Sequence, residues 1–302
     1  MKVQKVSFEK LKQLNFSGVS QKNYELKNLT TFKIGGKAKI YLEICTLECF
    51  VKVMLYLKDF KTQIFVLGNG SNVLVSDRGF DGIVIKLKGD FCRFEQFDNI
   101  VEMGAGVLLS EAYKYCQNLG LSGFEESVGI PATIGGAVCM NASAYNFEMA
   151  KIIDYVVAYD FQKIVYLKNT DCNFSYRHSI FSGGKYIILR VGFSLNSLDP
   201  KLMLLRTQET IQKRLASQPK GYCAGCVFKR KEGLNISRML DDMGAKNMRV
   251  GGAYVSSKHA NFIMNDGTAT SSDILELIKL IKTKFNQTYG FDIDCEIKFL
   301  GE

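Results

Sequence analysis

Thirteen residues, Gly129-Ile-Pro-Ala-Thr-Ile-Gly-Gly-Ala-Val-Cys-Met-Asn141, constrain this chain more than any other stretch. They hold three glycines and one proline and carry no charged side chain, so the backbone itself is the working surface. Glycine lets main-chain N–H groups approach a bulky ligand, because no Cβ intervenes. Pro131 fixes one φ angle ahead of a short apolar run that predicts a helix start, where free N–H groups favour a phosphate. A diphosphate cofactor is the ligand class this suggests, although a tight turn feeding a packed helix accounts for the same residues. The candidate cofactor contacts here are Gly129, Ile130, Pro131, Ala132, Thr133, Gly135, Gly136 and Asn141.

A second stretch, Gly68-Asn-Gly-Ser-Asn72, lies between the apolar runs 63–67 and 73–75 and reads as a glycine turn joining two strands. Successive N–H groups in such a turn form an anion-binding nest, and Gly68, Asn69, Gly70, Ser71 and Asn72 become further cofactor candidates. Plain hairpins use the same turn chemistry. A third segment, Thr30-Thr-Phe-Lys-Ile-Gly-Gly36, is a weaker candidate. None of the three has the GxGxxG spacing of a Rossmann unit.

At 302 residues the chain is long enough for two or three compact units, and its hydrophobic fraction of 47% with 21 Phe and 14 Tyr supplies real cores. No apolar run approaches the roughly 20 residues that span a bilayer. The N-terminus interleaves charge with apolar residues and shows no signal-peptide core, so a cytoplasmic protein without membrane partners is expected. Nine cysteines without an export signal indicate reduced thiols. One CxxC and two His make a metal site an unfavoured reading. The formal charge of +9 is concentrated between Lys213 and Arg249, where nine basic residues face three acids. Such a stretch is a solvated face, a nucleic-acid footprint or the seat of an anionic small molecule, and its few aromatics argue against nucleic acid.

In chain order the pattern predicts a short amphipathic helix around Val6 to Leu14, strands at 40–44 and 64–67, and a buried helix at 47–57. Strands at 83–87 and 101–103 follow, then a helix with Leu108, Ala112, Tyr115, Cys116 and Leu119 on one stripe that stops at Gly120. Strands at 152–159 and 163–167 form a hairpin around Asp160, with a third at 186–195. Leu198-Asp-Pro200 marks a boundary. Beyond it come a helix at 201–216, the basic segment, and a small α+β unit with helices at 236–243 and 272–288, strands near 253 and 262, and a strand at 291–300. There Phe291, Ile293, Cys295, Ile297 and Phe299 alternate with polar residues, which sets Glu296 on the polar face. The fold class is α+β, with domains at 1–198 (subdomains of about 1–90 and 91–198) and 199–302.

Cys223 and Cys226 form the CxxC, with Gly221 and Gly225 beside them indicating a loop. Cys226 reads as a general acid, as a buried filler, or with Cys223 as a redox pair of thioredoxin type, which requires a helix N-terminus. Arg177, between Tyr176 and His178, offers a planar fork suited to a carboxylate; read alone, it is also an ordinary surface ion-pair partner. His178 reads as a bystander.

The segments LTTFKIGG, GNGSNVLVSD and GIPATIGGAVCMNASAY, in this order, resemble the FAD-binding half of the UDP-N-acetylenolpyruvoylglucosamine reductase family, and the similarity runs from about Leu29 to Gly301. The resemblance implies a two-subdomain FAD-binding lobe of PCMH type followed by a smaller substrate-binding domain. It implies a flavoenzyme that uses FAD, with NADPH as hydride donor, to reduce the enolpyruvyl ether of a UDP-sugar to UDP-N-acetylmuramate for peptidoglycan synthesis. Cys226 falls where most members carry a serine proton donor. Arg177 matches the family's Tyr-Arg motif and Glu296 the carboxylate of its C-terminal motif, which makes Cys226, Arg177 and Glu296 the implied catalytic residues. Tyr176, Lys229, Lys258 and Asn261 are implied substrate contacts, with His259 as further support. The basic segment would seat the UDP diphosphate. Departures are Ala132-Thr133 for the usual Gly-Ser, Cys226 for Ser, and Arg230-Lys231 for Asn-Pro. A monomer is expected. Other FAD oxidoreductases or oxidases with the same lobe, and a basic RNA-binding module, are the alternatives.

Overall fold

The computed structural model describes residues 5–301; the first four residues of the N-terminal segment and Glu302 lie outside the described residues. The helices, in chain order, are α1 (Phe8–Leu14), α2 (Leu47–Leu57), α3 (Leu109–Asn118), α4 (Ile134–Cys139), α5 (Pro200–Ser217), α6 (Ile236–Asp242) and α7 (Ser271–Tyr289). The strands of the N-terminal third are β1 (Val19–Glu25), β2 (Lys37–Ile44), β3 (Ile64–Val66), β4 (Val73–Val75), β5 (Phe80–Leu87), β6 (Phe94–Phe97) and β7 (Ile100–Gly104). Those of the middle are β8 (Leu121–Ser122), β9 (Ser143–Ala144), β10 (Phe147–Glu148), β11 (Ile153–Tyr159), β12 (Ile164–Lys168), β13 (Ile187–Ser194) and β14 (Asn196–Ser197). The C-terminal strands are β15 (Arg249–Val250), β16 (Ala253–Val255), β17 (Ile263–Asn265) and β18 (Lys298–Leu300). The mixed content is the α+β class expected.

The chain divides into two compact units, and the division is interleaved rather than placed at Leu198. One unit is 1–22, 40–69 and 82–213; the other is 23–39, 70–81 and 214–302. The domain limits of 1–198 and 199–302 therefore need correction. The first turns of α5 stay with the first unit because Met203 is fully buried and the Thr207 and Tyr113 hydroxyls share a buried hydrogen bond of 2.8 Å. The segment Phe32–Ile34 joins the second unit because both apolar side chains enter the core around Val227 and Ile293.

The first unit is built on a five-stranded antiparallel sheet, order β12-β11-β13-β7-β6. Val101, Met103, Val156, Ala158, Val191 and Phe193 on its strands are fully or almost fully buried, each burial worth up to about 3 kcal/mol for the larger side chains. The expected hairpin forms: Asp160 Oδ1 accepts from the N–H groups of Gln162 (2.8 Å) and Lys163 (2.7 Å), which holds its carboxyl below the usual range. α2 buries Cys49, Phe50, Val53, Met54 and Leu57, and Phe50 meets Phe91 and Tyr159 edge-on. The expected stripe of α3 holds at Ala112 and Cys116, with Tyr115 packed against the core, and differs at its ends. Leu109, Ala112, Tyr113 and Cys116 face inward while Leu119 is exposed, because Glu111 reaches back to cap the Leu108 N–H and fixes the helix start.

The second unit packs α6 and α7 on the sheet β15-β16-β17, with Leu240, Ile274, Leu277, Ile281 and Phe285 closing the core. α7 starts on a Thr270 capping box and ends at Gly290, whose φ of +78° is the left-handed cap glycine accepts. The C-terminal alternation breaks before its end. Ile293 and Ile297 are buried, but Phe299 is exposed and Leu300 buried, since only β18 forms a ladder, parallel to β4.

Candidate active site

In the first unit Gly68 and Asn69 are tied to the 129–141 stretch. Asn69 Nδ2 donates to Pro131 O at 2.8 Å, and a Cβ on Gly68 would stand 2.6 Å from Thr133 Oγ1, so only glycine permits this approach. Thr133 caps α4 by accepting from Gly136 N at 3.2 Å. The expectation of free phosphate-binding amides on α4 is corrected here. Ile134 N donates to Val107 O and Gly135 N to Ala105 O, both at 2.8 Å, so the first turn is consumed by the loop that follows β7. The 68–72 loop behaves differently: among the described residues, no backbone N–H from Gly68 to Asn72 donates to a protein acceptor. Its later half is anchored in the second unit by Thr31 N on Gly70 O (3.1 Å) and by Lys298 N on Asn72 O (2.9 Å). Gly70 has φ +63°, and a Cβ there would lie 2.2 Å from Leu29 O.

Asn141 is 1% exposed and adopts φ +41°. Its carboxamide is wholly engaged: Nδ2 donates to Glu148 Oε1 (2.9 Å) and Ser175 O (3.1 Å), and Oδ1 accepts from Ala150 N (3.0 Å). It holds the turn in which Ser175 and His178 exchange two backbone hydrogen bonds of 3.1 Å around Tyr176 and Arg177. Arg177 sits at φ +54°, a left-handed conformation rare for a residue with a Cβ. Its guanidinium forks onto Ser143, Nη1 to Oγ at 3.0 Å and Nη2 to O at 3.3 Å, and lies over the exposed Tyr176 ring. Ser143 was not singled out from sequence; its place two residues beyond Asn141 is the one signal. His178 is exposed.

In the second unit, residues 226–229 run between two neighbouring segments. On one side Cys226 bridges Phe262, and Val227 N donates to Asn261 O at 2.9 Å. On the other, Glu296 N donates to Val227 O at 2.7 Å and Lys229 N to Asp294 O at 2.9 Å. Cys226 and Glu296 are thereby brought onto adjacent backbone, while Arg177 belongs to the first unit. Asn261, 2% exposed, accepts from Phe228 N through Oδ1 and donates to Phe228 O through Nδ2, both at 2.8 Å. Lys258 Nζ donates to the Leu215 carbonyl in the last turn of α5. Both side chains thus make hydrogen bonds within the second unit. His259 Nδ1 accepts from Asn261 N at 3.3 Å, and burial, with Lys246 nearby, lowers its pKa. The weak third glycine candidate has a local use: Thr31 Oγ1 donates to Cys223 O at 2.6 Å and fastens the loop that leads to Cys226.

Residues 218–300 match the C-terminal domain of UDP-N-acetylenolpyruvoylglucosamine reductase, and residues 38–162 match an FAD binding domain. A UDP-N-acetylenolpyruvoylglucosamine reductase from Caldanaerobacter subterraneus subsp. tengcongensis is 35% identical over 97% of this chain and 98% of its own. The chain belongs to the UDP-N-acetylenolpyruvoylglucosamine reductase family. A family member from Alkaliphilus oremlandii is 38% identical over 92% of each chain. The crystal structure of the family's enzyme from Thermus caldophilus superimposes with a TM-score of 0.80 at 33% identity, covering 94% of this chain and 98% of that one.

FAD is the cofactor of this reductase family's N-terminal lobe, and the residues present fit it. An unbroken row of unengaged N–H groups at 68–72 suits a diphosphate. Gly68 and Gly70 set the path of this loop, since a Cβ at either would strike protein, Thr133 Oγ1 and Leu29 O respectively. In the family's C-terminal domain the thioredoxin reading of Cys223 and Cys226 fails. No helix begins until Ile236, and burial raises the Cys223 pKa where a redox pair needs it lowered. Four basic residues of the segment have ion-pair partners: Lys213 with Glu209, Arg238 with Asp242, Lys246 with Asp241, and Arg249 with Asp266. Lys231 lies 4.1 Å over the Phe291 ring, and its chain turns back at Leu234, which is the local path taken in place of Asn-Pro. Among the described residues no cluster of His, Cys, Asp and Glu is arranged to hold a metal, and no helix is long and apolar enough to cross a membrane.

Proposed function

We propose that this chain reduces the enolpyruvyl ether of UDP-N-acetylenolpyruvoylglucosamine to UDP-N-acetylmuramate, with NADPH as hydride donor, as a cytoplasmic step of peptidoglycan precursor synthesis. FAD, held at the backbone of residues 68–72, would supply the hydride-transfer chemistry between NADPH and the β-carbon of the double bond. Addition at that carbon pushes an electron pair toward the α-carbon and the carboxylate. Arg177 carries a permanent planar charge suited to that carboxylate, and the Asn141 and Ser143 contacts fix its direction. The Cys226 thiol gives its proton to the α-carbon. Glu296 lies on the adjacent backbone, where its carboxylate helps return a proton to the thiolate between turnovers.

The observation that carries this reading is the pairing of the Cys226 segment with the Glu296 segment through Val227, inside a domain that matches this reductase family from 218 to 300. The test separates the two half-reactions by stopped flow. Cys226→Ala should leave reduction of the bound flavin by NADPH intact and lower reoxidation by the enolpyruvyl sugar nucleotide by about 10²- to 10⁴-fold, the usual contribution of a positioned acid. Cys226→Ser should recover part of that rate. Equal slowing of both half-reactions would remove Cys226 from the proton-transfer role.

A further inference from the structure

We infer that Asn261 is a positioning residue for the Cys226–Glu296 pair: its buried carboxamide stands where the peptide of a neighbouring strand would pair with Phe228. This inference rests on the reading above. Each backbone group from Val227 N to Lys229 N has a partner, and those partners come alternately from the two flanking segments. Val227 is shared between Asn261 O and Glu296 N. Phe228 is the exception, because both its N–H and its C=O meet the Asn261 side chain, at 2.8 Å each. A carboxamide has the acceptor and donor of a peptide group on one planar unit, so Asn261 completes the pairing of Phe228 on the flank opposite Cys295, which bridges it by main chain. Asn265 in the same unit spends its amide differently, on Phe32 O. Phe228 is 1% exposed and Asn261 2%, so water cannot replace these bonds.

The consequence falls on the two residues placed at the ends of this ladder. Cys226 is two residues before Phe228 and bridges Phe262, next to Asn261; Glu296 hangs on Val227 O. If the Phe228 peptide loses its partner, the strand position of Cys226 relative to Glu296 is no longer fixed, and proton delivery loses its geometry. Displacement of a reacting group by about 1 Å costs on the order of 100-fold in rate.

Aspartate is isosteric with asparagine, and its protonated form has the same acceptor and donor pattern. Burial raises the pKa of such a carboxyl, so Asn261→Asp should restore the pairing as pH falls and break it as pH rises. The other titratable groups on the packed elements are His259, Cys226, Lys229, Asp294, Cys295 and Glu296, and they are common to both proteins, so the ratio of variant to wild type isolates residue 261. Single-turnover reoxidation of the NADPH-reduced enzyme by the enolpyruvyl sugar nucleotide would be followed from about pH 8 to pH 5.5. Asn261→Asp should be roughly 10- to 100-fold slower at the alkaline end and approach wild type at the acid end. Asn261→Ala should be slow throughout, and flavin reduction by NADPH should be unchanged in both. A pH-independent ratio near one for Asn261→Asp would overturn the inference, as would parallel loss of both half-reactions. Should Asn261→Ala not fold, the Asn261→Asp ratio decides alone. Failure of the wild-type chain to turn over this substrate, or full activity of Cys226→Ala, would overturn the functional reading instead.

Discussion

Each unit fixes its reactive segment with a buried asparagine, and the two do it in opposite ways. Asn141, in the left-handed conformation, spends its three hydrogen bonds on three separate places, Glu148, Ser175 and Ala150. Asn261 spends both side-chain bonds on a single residue, Phe228. The first device ties loops that have no ladder of their own, so the turn bearing Arg177 depends on side chains for its place. The second repairs a gap in a ladder whose other rungs are main chain, so Cys226 depends mostly on backbone. Removal of the first asparagine should therefore unsettle a whole loop cluster, whereas removal of the second should shift one register position.

The largest effect that tests this contrast is Asn141→Ala. It leaves the Ala150 N–H without its acceptor and removes one of the two donors to the Ser175 carbonyl, which keeps the His178 N–H, so stability should fall by roughly 1–3 kcal/mol. Urea unfolding monitored in the first unit measures it. A loss below about 1 kcal/mol would mean that the loops hold themselves. Next is Arg177→Lys, which keeps the charge but cannot fork onto Ser143 Oγ and O; turnover should drop by roughly 10- to 100-fold with flavin reduction by NADPH unaffected. If Arg177→Lys is as fast as wild type, a point charge suffices and the turn's left-handed geometry has no catalytic purpose. Smaller again is Thr31→Val. It removes the hydroxyl that donates to Cys223 O and should cost about 1 kcal/mol of stability, because main-chain bonds still hold residues 226–229. A larger loss in urea unfolding would show that the second unit also relies on side chains.

The elements with strong periodicity were legible in the sequence. α2 and α7 carry apolar stripes between clear caps, and the β11–β12 hairpin was marked by Asp160. The two glycine loops were legible as ligand-facing backbone, but which one keeps its amides was not. That depends on carbonyls of Val107 and Ala105, more than twenty residues upstream of α4, which no local pattern reveals. The interleaved division was hidden for the same reason: Phe32, Ile34 and Leu74 read as ordinary apolar residues until their core partners around Val227 are known. Cys226, Arg177 and Glu296 were singled out by motif resemblance and not by any local pattern. An asparagine in a polar-looking HAN triplet gives no sign in the sequence that its amide will face Phe228, 33 residues earlier.

The smallest expected effect concerns how the second device meets acid. His259 Nδ1 accepts the Asn261 N–H, so the folded state favours the neutral imidazole, and burial with the Lys246 charge lowers its pKa from the usual 6.5. A depressed folded pKa means that the unfolded chain takes up the proton first. The stabilisation is complete above about pH 6.5 and is lost as pH falls through that value toward the folded pKa. His259→Gln cannot titrate, so its melting temperature should decline less steeply than wild type between about pH 7 and pH 5. Because the bond from Asn261 N is one of several that place this residue, the wild-type decline should be modest. Identical slopes for the two proteins would show that His259 is protonated as easily in the folded chain as in the unfolded one. A slope far steeper in wild type would instead make the imidazole a principal support of the Asn261 turn, and the second unit would then lean on side chains as heavily as the first.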